Sequence, residues 1–179
     1  KTKYSGIVEY GRDINSAFLL VRSLFLPYEI KEIINEKTFN RGYEELNIMN
    51  SLSKDIQEIK DTRLAIMYLE IKYYLCSKLL RDSDWVSMSH SVELRTPFVD
   101  WVFFNKLIPI IKPDKNFNKL TVLNSMQNKL PKKLSNRKKT GFVIPHNDFL
   151  NKLSVTKKFA NPIRDWSILS YEKYLKNVL

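Results

Sequence analysis

LAIMYLEIKYYLCSKLL, residues 64–80, is the stretch whose reading decides the fold. Met67, Ile71, Leu75 and Leu79 recur at helical spacing, and Leu64, Tyr68 and Tyr74 widen the stripe. A segment apolar nearly all round is expected to be the central, nearly fully buried helix of its domain. Asp61 and Thr62 just before it supply an N-cap signal. The surroundings support more helix. Between Tyr28 and Thr96 there is no proline and one glycine, Gly42. Proline breaks a helix and glycine weakens it by about 1 kcal/mol relative to alanine, so this long stretch reads as helices joined by short polar turns. Six of the seven prolines fall at or after Pro97, so the second half is more interrupted.

Working outward, helices are predicted at about 13–25, 28–36, 40–59, 62–80, 82–91, 99–110, 117–129, 146–153 and 167–178. Asn118 opens one of these, with Leu120, Leu123, Met126 and Leu130 on one face. In the last, Ile168, Tyr171, Leu175 and Val178 share a side. Only Gly141–Pro145 suggests a short extended piece. The expected class is all-α, with residues 1–179 forming one helical domain and 152–179 its least defined part.

The chain has 179 residues, 44% of them hydrophobic and 27% charged, which is a globular composition with room for a core. No apolar run approaches the ~20 residues of a membrane span. The first residues lack the apolar heart of a signal peptide and the chain lacks an initiator Met, which suggests an excerpt of a longer protein. Cys76 is the single cysteine, so neither an intramolecular disulfide nor a cysteine zinc cage can form, and a reducing compartment is expected. Lying in the most apolar helix, it is expected to be inert packing. The four glycines, Gly6, Gly11, Gly42 and Gly141, are too scattered for a phosphate-cradling loop.

Charge is lopsided. Residues 1–99 hold 14 Lys/Arg against 14 Asp/Glu, and residues 100–179 hold 16 against 5, so the whole net charge of +11 lies in the second half. It is densest at Lys129, Lys132, Lys133, Arg137, Lys138 and Lys139. Such a cluster suits a phosphate-bearing partner, whether nucleic acid, nucleotide or membrane surface; the bland alternative is a solvated loop.

Two constellations stand out. Asp82 and Asp84 open the run Asp82–Asp100. They could hold Mg²⁺ through oxygen ligands, but the favoured reading is that they cap a helix starting there. Glu93 and Arg95 lie two apart before Pro97, where extended backbone would set them on one side, as structure or as a site wall. The second constellation is Asn136-Arg137-Lys138-Lys139-Thr140-Gly141-Phe142. The sharp turn that Gly141 permits would hold Lys139 at a fixed place, where an ammonium can stabilise charge on a transferring phosphoryl group. His90 and His146 have no Cys or second His at ligand spacing, so no metal site is expected. Trp85, Trp101 and Trp166 read as core anchors.

Together these residues resemble the C-terminal part of the asparagine synthase family. LLRDSDWVSMSHSVELRTPFVD (Leu79–Asp100), a helix opened by Lys119-Leu120-Thr121, Leu130-Pro131, and RKKTGF (Arg137–Phe142) followed by Ile144-Pro145 are similar to the family's motifs in order and approximate spacing over about 64–150. The stretch Ser16–Pro27 also looks like the bacterial asparagine-synthase-related branch. Ser89 stands where the family usually has Ala, Val99 where Leu is commoner, and the tail after about 152 carries no match.

The resemblance implies the helical section of an α/β ATP-pyrophosphatase synthetase domain, whose parallel-sheet core and SGGxDS phosphate loop are absent from this chain. It implies an ATP-dependent, glutamine-hydrolysing amidotransferase that makes asparagine through β-aspartyl-AMP, with the chain inactive alone. Lys139 then reaches the triphosphate and is catalytic, and Arg137 supports the phosphates or the loop. Asp82, Asp84, Glu93, Arg95 and Asp100 form a site wall or structural motif. ATP and Mg²⁺ belong to the full-length enzyme, with none expected on this chain by itself. The implied partners are the glutaminase and the sheet core, the small molecules aspartate, glutamine and ATP, and a second copy in a homo-oligomer. A cytoplasmic location is expected. The rival readings are a basic helical nucleic-acid-binding module and a non-catalytic scaffold derived from the synthetase.

Overall fold

The computed structural model describes residues 3–111, 116, 118–126, 131–135, 138, 144–156 and 158–178. Every regular element among them is helical, as the punctuation predicted. The chain divides into two compact units, residues 1–117 and 118–179.

The first unit begins with a 3₁₀ turn at Lys3–Gly6 and four short or medium helices: α1 (Ile7–Tyr10), α2 (Ile14–Arg22), α3 (Pro27–Ile33) and α4 (Glu36–Leu46). Then comes α5 (Ile48–Ile56). Polar side chains start these helices. The Asp13 carboxylate accepts the Ser16 N–H at 2.9 Å and the Ser16 hydroxyl at 2.7 Å, which holds its pKa below the usual carboxylate value. Asn35 accepts the Thr38 N–H at 2.8 Å to cap α4. At α3, Pro27 takes the first helical position and the Glu29 carboxylate accepts the Leu26 N–H at 2.8 Å. The single helix predicted over 40–59 is two: Asn47 sits at φ 40°, ψ 44°, and this left-handed residue ends α4 and opens α5.

Residues 62–88 form one unbroken helix. α6 (Thr62–Leu69) starts on Asp61, whose carboxylate accepts the Leu64 N–H at 3.0 Å, as predicted. An eleven-residue π segment, Glu70–Leu80, follows, and α7 (Arg81–Met88) continues it. Leu80 and Arg81 have ordinary helical angles, so no helix starts at Asp82. The α6 face packs on α2 and α5. It is central, as expected, but not nearly buried.

Ala65 and Leu69 are fully buried; Met67, Ile71 and Leu75 are half-buried, and Leu79 is exposed. The expected stripe assumed 3.6 residues per turn throughout. Four-residue spacing drifts by only about 40° per step in that winding and by no more in a π one, so the loss of burial follows the packing instead: α2 and α5 pack chiefly on α6, ahead of these residues. Cys76 is exposed, not packed. A 3₁₀ turn at Pro97–Val99 and α8 (Trp101–Ile111) close the unit. Trp85 and Trp101, expected as core anchors, are 68% and 73% exposed.

Two polar clamps fix the front of the long helix. The Arg22 guanidinium on α2 grips the Glu70 carboxylate with two N–H groups, one at 2.8 Å, and lies 3.7 Å from the centre of the Tyr74 ring. Asp55, near the end of α5, accepts the Lys72 ammonium at 2.6 and 2.7 Å and the Tyr73 hydroxyl at 2.7 Å.

The second unit holds α9 (Lys119–Ser125), α10 (Lys132–Ser135), α11 (His146–Lys152) and α12 (Pro162–Val178). Asn118 caps α9, accepting the Leu120 and Thr121 N–H groups at 2.8 and 3.3 Å. Its face is largely open, with Leu120 and Met126 exposed. Leu150 is buried where α11 meets α12, and His146, Phe149 and Trp166 pack ring against ring. Buried Asp165 accepts the Lys158 and Phe159 N–H groups at 2.8 and 3.3 Å, so the last helix begins earlier than predicted, at Pro162. The extended piece expected at Gly141–Pro145 lies mostly outside the described residues.

Two stability predictions follow from this packing. Leu69→Ala removes a fully buried side chain and should cost about 2–5 kcal/mol, whereas Leu79→Ala should fall within about 0.5 kcal/mol. Urea midpoints of the two variants check the order. The Lys72 and Tyr73 hydrogen bonds hold Asp55 below its ordinary 3.8. A depressed carboxylate stabilises the fold fully above the unfolded pKa and loses that contribution as pH falls through the folded one. Stability should therefore fall with acid below about pH 4, less steeply in Asp55→Asn than in the parent sequence, by thermal melts between pH 6 and 2.

Candidate functional site

The run Glu93–Asp100 leaves α7 through an irregular stretch. Ser91, at φ 58°, turns the chain, and the Val92 N–H bonds back to the Ser87 carbonyl at 3.0 Å. Residues 92–96 form no regular element; Thr96, at φ −118° and ψ 79°, is not extended as expected, and Pro97 opens the 3₁₀ turn. On that irregular stretch the Arg95 guanidinium forks onto the Glu93 carboxylate, with contacts of 2.9 and 3.2 Å. Both side chains are well exposed. Asp100 ends the turn and caps α8, its carboxylate accepting the Phe103 N–H at 3.0 Å.

These residues enclose a wide hollow of ≈ 880 Å³. Glu93, Arg95 and Asp100 supply its polar rim; Leu80, Phe98 and Phe103 are among its apolar walls. Phe98 and Phe103 meet edge to face, 5.9 Å apart. Three of the five residues assigned to a site wall thus come together.

Asp82 and Asp84 do not join them in lining it. Asp82 pairs with its neighbour Arg81 at 3.2 Å on the exposed surface. The favoured capping role fails, because the helix runs straight through from α6 and leaves no free N–H groups there to cap. Among the described residues no three His, Cys, Asp or Glu side chains converge as a metal site would need. His90 is exposed and its Nδ1 lies 3.0 Å from the Ser89 hydroxyl.

Arg137 and Lys139, the residues assigned to phosphate, lie outside the described residues. Lys138, Lys132 and Lys133 are described and exposed. Leu80 and Phe103 were not anticipated in the wall. Phe103 follows the quoted motif by three residues, a helical turn beyond Asp100. Leu80 stands inside the quoted Leu79–Asp100 motif, but α-helical phasing would set it with Leu69 in the core.

The motif order that suggested a family has an independent counterpart. The family model described as asparagine synthase matches residues 19–172. The chain belongs to the asparagine synthase family. The matched region takes in the end of α2, both clamps, the Glu93–Asp100 hollow and the Arg137–Phe142 stretch. Among curated proteins, the glutamine-hydrolysing asparagine synthetase 1 of Bacillus subtilis (strain 168) is 30% identical over 83 residues, 45% of this chain. That stretch is 13% of the relative's own length, so this asparagine synthase family chain spans a small part of it. No solved structure matches. No helix among the described residues is long and apolar enough to cross a membrane.

Asp100→Ala should cost about 0.5–2 kcal/mol by uncapping α8, and Asp100→Asn should recover most of it, since an amide oxygen also accepts the Phe103 N–H. Chemical denaturation followed by circular dichroism checks both.

Proposed function

We propose that this chain is the helical C-terminal section of an ATP-dependent, glutamine-hydrolysing amidotransferase that makes asparagine from aspartate. The family match across residues 19–172 carries the reading. The order of Leu79–Asp100 and Arg137–Phe142 within that match supports it. In this reading the parallel-sheet ATP-pyrophosphatase core and the glutaminase are the partners, and the chain is inactive without them. The cytoplasm is the proposed location, and a homo-oligomer the proposed assembly.

The proposed chemistry has two steps. The aspartate side-chain carboxylate attacks the α-phosphorus of ATP; the new O–P bond forms as the bond to pyrophosphate breaks. Ammonia from glutamine then attacks the acyl carbon of β-aspartyl-AMP, and AMP leaves. Negative charge grows on the departing pyrophosphate in the first step.

A chain with a surplus of eleven positive charges in its second half suits that polyanion. Lys139 is assigned to the developing charge, Arg137 to holding the phosphates or the loop, and Gly141 to the turn that positions them. Mg²⁺ would accompany ATP, and no residue described here is assigned as its ligand. The Glu93–Arg95 pair spends its charges internally, so the hollow acts as a shaped wall and not as a phosphate cradle.

A fixed ammonium acting in the transition state affects turnover more than ATP affinity. In the full-length parent, Lys139→Ala should lower pyrophosphate release by on the order of 10²–10³ while glutamine hydrolysis persists. Lys138→Ala should be mild. Equal, modest losses at both positions would remove the catalytic assignment and favour the non-catalytic scaffold. Salt-dependent binding of nucleic acid by the parent would favour the nucleic-acid module, which rests on charge alone.

A further inference from the structure

The eleven-residue π segment is the least ordinary feature of the chain. π turns are rare, mostly single, and frequent at functional sites. This one runs from Glu70 to Leu80, inside a helix that is α-helical on both sides. Ser77 fits its geometry, since its hydroxyl donates to the Lys72 carbonyl five residues back at 2.8 Å.

The segment's effect is a matter of phase. At 3.6 residues per turn, eleven residues turn through about 1,100°, close to three full turns, and would return Leu80 to the face of Leu69. A full i→i+5 ladder winds more slowly; at about 4.4 residues per turn, eleven residues would turn through about 900° and set Leu80 on the opposite side, with the ladder tightening again at its exit, where the Arg81 N–H bonds the Lys78 carbonyl. The two leucines have different surroundings. Leu69 is fully buried in the helix α6 that packs on α2 and α5, and Leu80 lines the hollow with Glu93, Arg95 and Phe103.

The front of the segment is held by two clamps. The Arg22–Glu70 clamp ties it to α2, and the Asp55 carboxylate ties Lys72 and Tyr73 to α5. Any change in winding must therefore appear downstream, in α7 and the hollow.

We infer that the π segment is a phase-setting element: it turns the helix by half a turn relative to an α-helix, and so places Leu80 and the Glu93–Asp100 motif away from the face that packs on α2 and α5. Leu80 is a positioning and wall residue, and the segment's length is the determinant. The inference is independent of the reaction proposed above.

Two deletions test it in the whole chain. Removing Cys76 and Ser77, both exposed, leaves nine residues, and nine α-helical residues also turn through about 900°. Removing Ser77 alone leaves ten, which in α geometry turn through about 1,000° and swing α7 by about 100°. The single cysteine makes the measurement clean. With Cys76→Ser where Cys76 remains, nitroxides on Lys54→Cys and Val86→Cys, both exposed, report the distance between α5 and α7 by pulsed electron paramagnetic resonance. The two-residue deletion should keep the undeleted protein's distance and its circular dichroism. The one-residue deletion should keep the helical signal and shift the distance. An unshifted distance in the one-residue deletion, or a shifted distance or lost helix in the two-residue deletion, would overturn the assignment. Loss of helix in the one-residue deletion alone would support it, because only that variant lacks a register that satisfies both ends.

Discussion

The grip of Arg22 and Asp55 on the start of the π segment is the constraint on which the first unit depends. Apolar burial holds α6 against α2 and α5 through Ala65 and Leu69, but apolar contacts alone allow a helix to slide or roll. A two-pronged guanidinium–carboxylate contact does not, because both N–H groups must meet both oxygens. Asp55 adds a second fixed point on a different helix, binding an ammonium and a hydroxyl from adjacent residues. With two points fixed, the azimuth of the helix is set at Glu70–Tyr73. The helix beyond them, as far as Met88, continues from that azimuth.

That arrangement explains which parts of the fold were legible. Helix starts were, because a cap is a local event. Asp61 and Asn118 bond N–H groups two or three residues on and need nothing from the rest of the chain. The all-helical class was legible for the same reason, since proline and glycine act within a turn of where they sit. The π segment was not. Nothing in Glu70–Leu80 by composition separates i→i+5 from i→i+4 bonding, and the four-residue apolar spacing fits either ladder. Leu79 and Cys76 are exposed for a different non-local reason: α2 and α5 pack chiefly on α6, ahead of them. The break at Asn47 was missed for a milder reason. Asparagine tolerates the left-handed conformation without requiring it, so the residue type permits the break and does not announce it.

The site divides in the same way. Glu93, Arg95 and Asp100 were legible as a group because they stand close together in sequence and each bonds within a few residues of itself. Asp82 and Asp84 were misread because two acidic residues ahead of an apolar run look like a helix start. Whether they are one depends on whether the helix before them has ended, and Leu80 continues it. Leu80 itself joins the wall through the winding of residues ten positions away, a non-local cause that no short motif records.

The energetics of the hollow run against its being a stability device of this unit. An exposed Arg–carboxylate pair is worth about 0–1 kcal/mol in water, because solvent screens it and two long side chains lose freedom to make it. Phe98 and Trp101 remain 59% and 73% exposed, so little apolar area is removed from water there. What the motif does achieve is order. A fork fixed by two hydrogen bonds, a proline turn, an edge-to-face aromatic pair and a capped helix hold a rim and wall in one shape at low cost. Such pre-formed surfaces favour binding, because the entropy of arranging the side chains has been lost before any ligand arrives. The clamps orient the helix, the π segment turns it, and the motif stiffens the surface to which it leads.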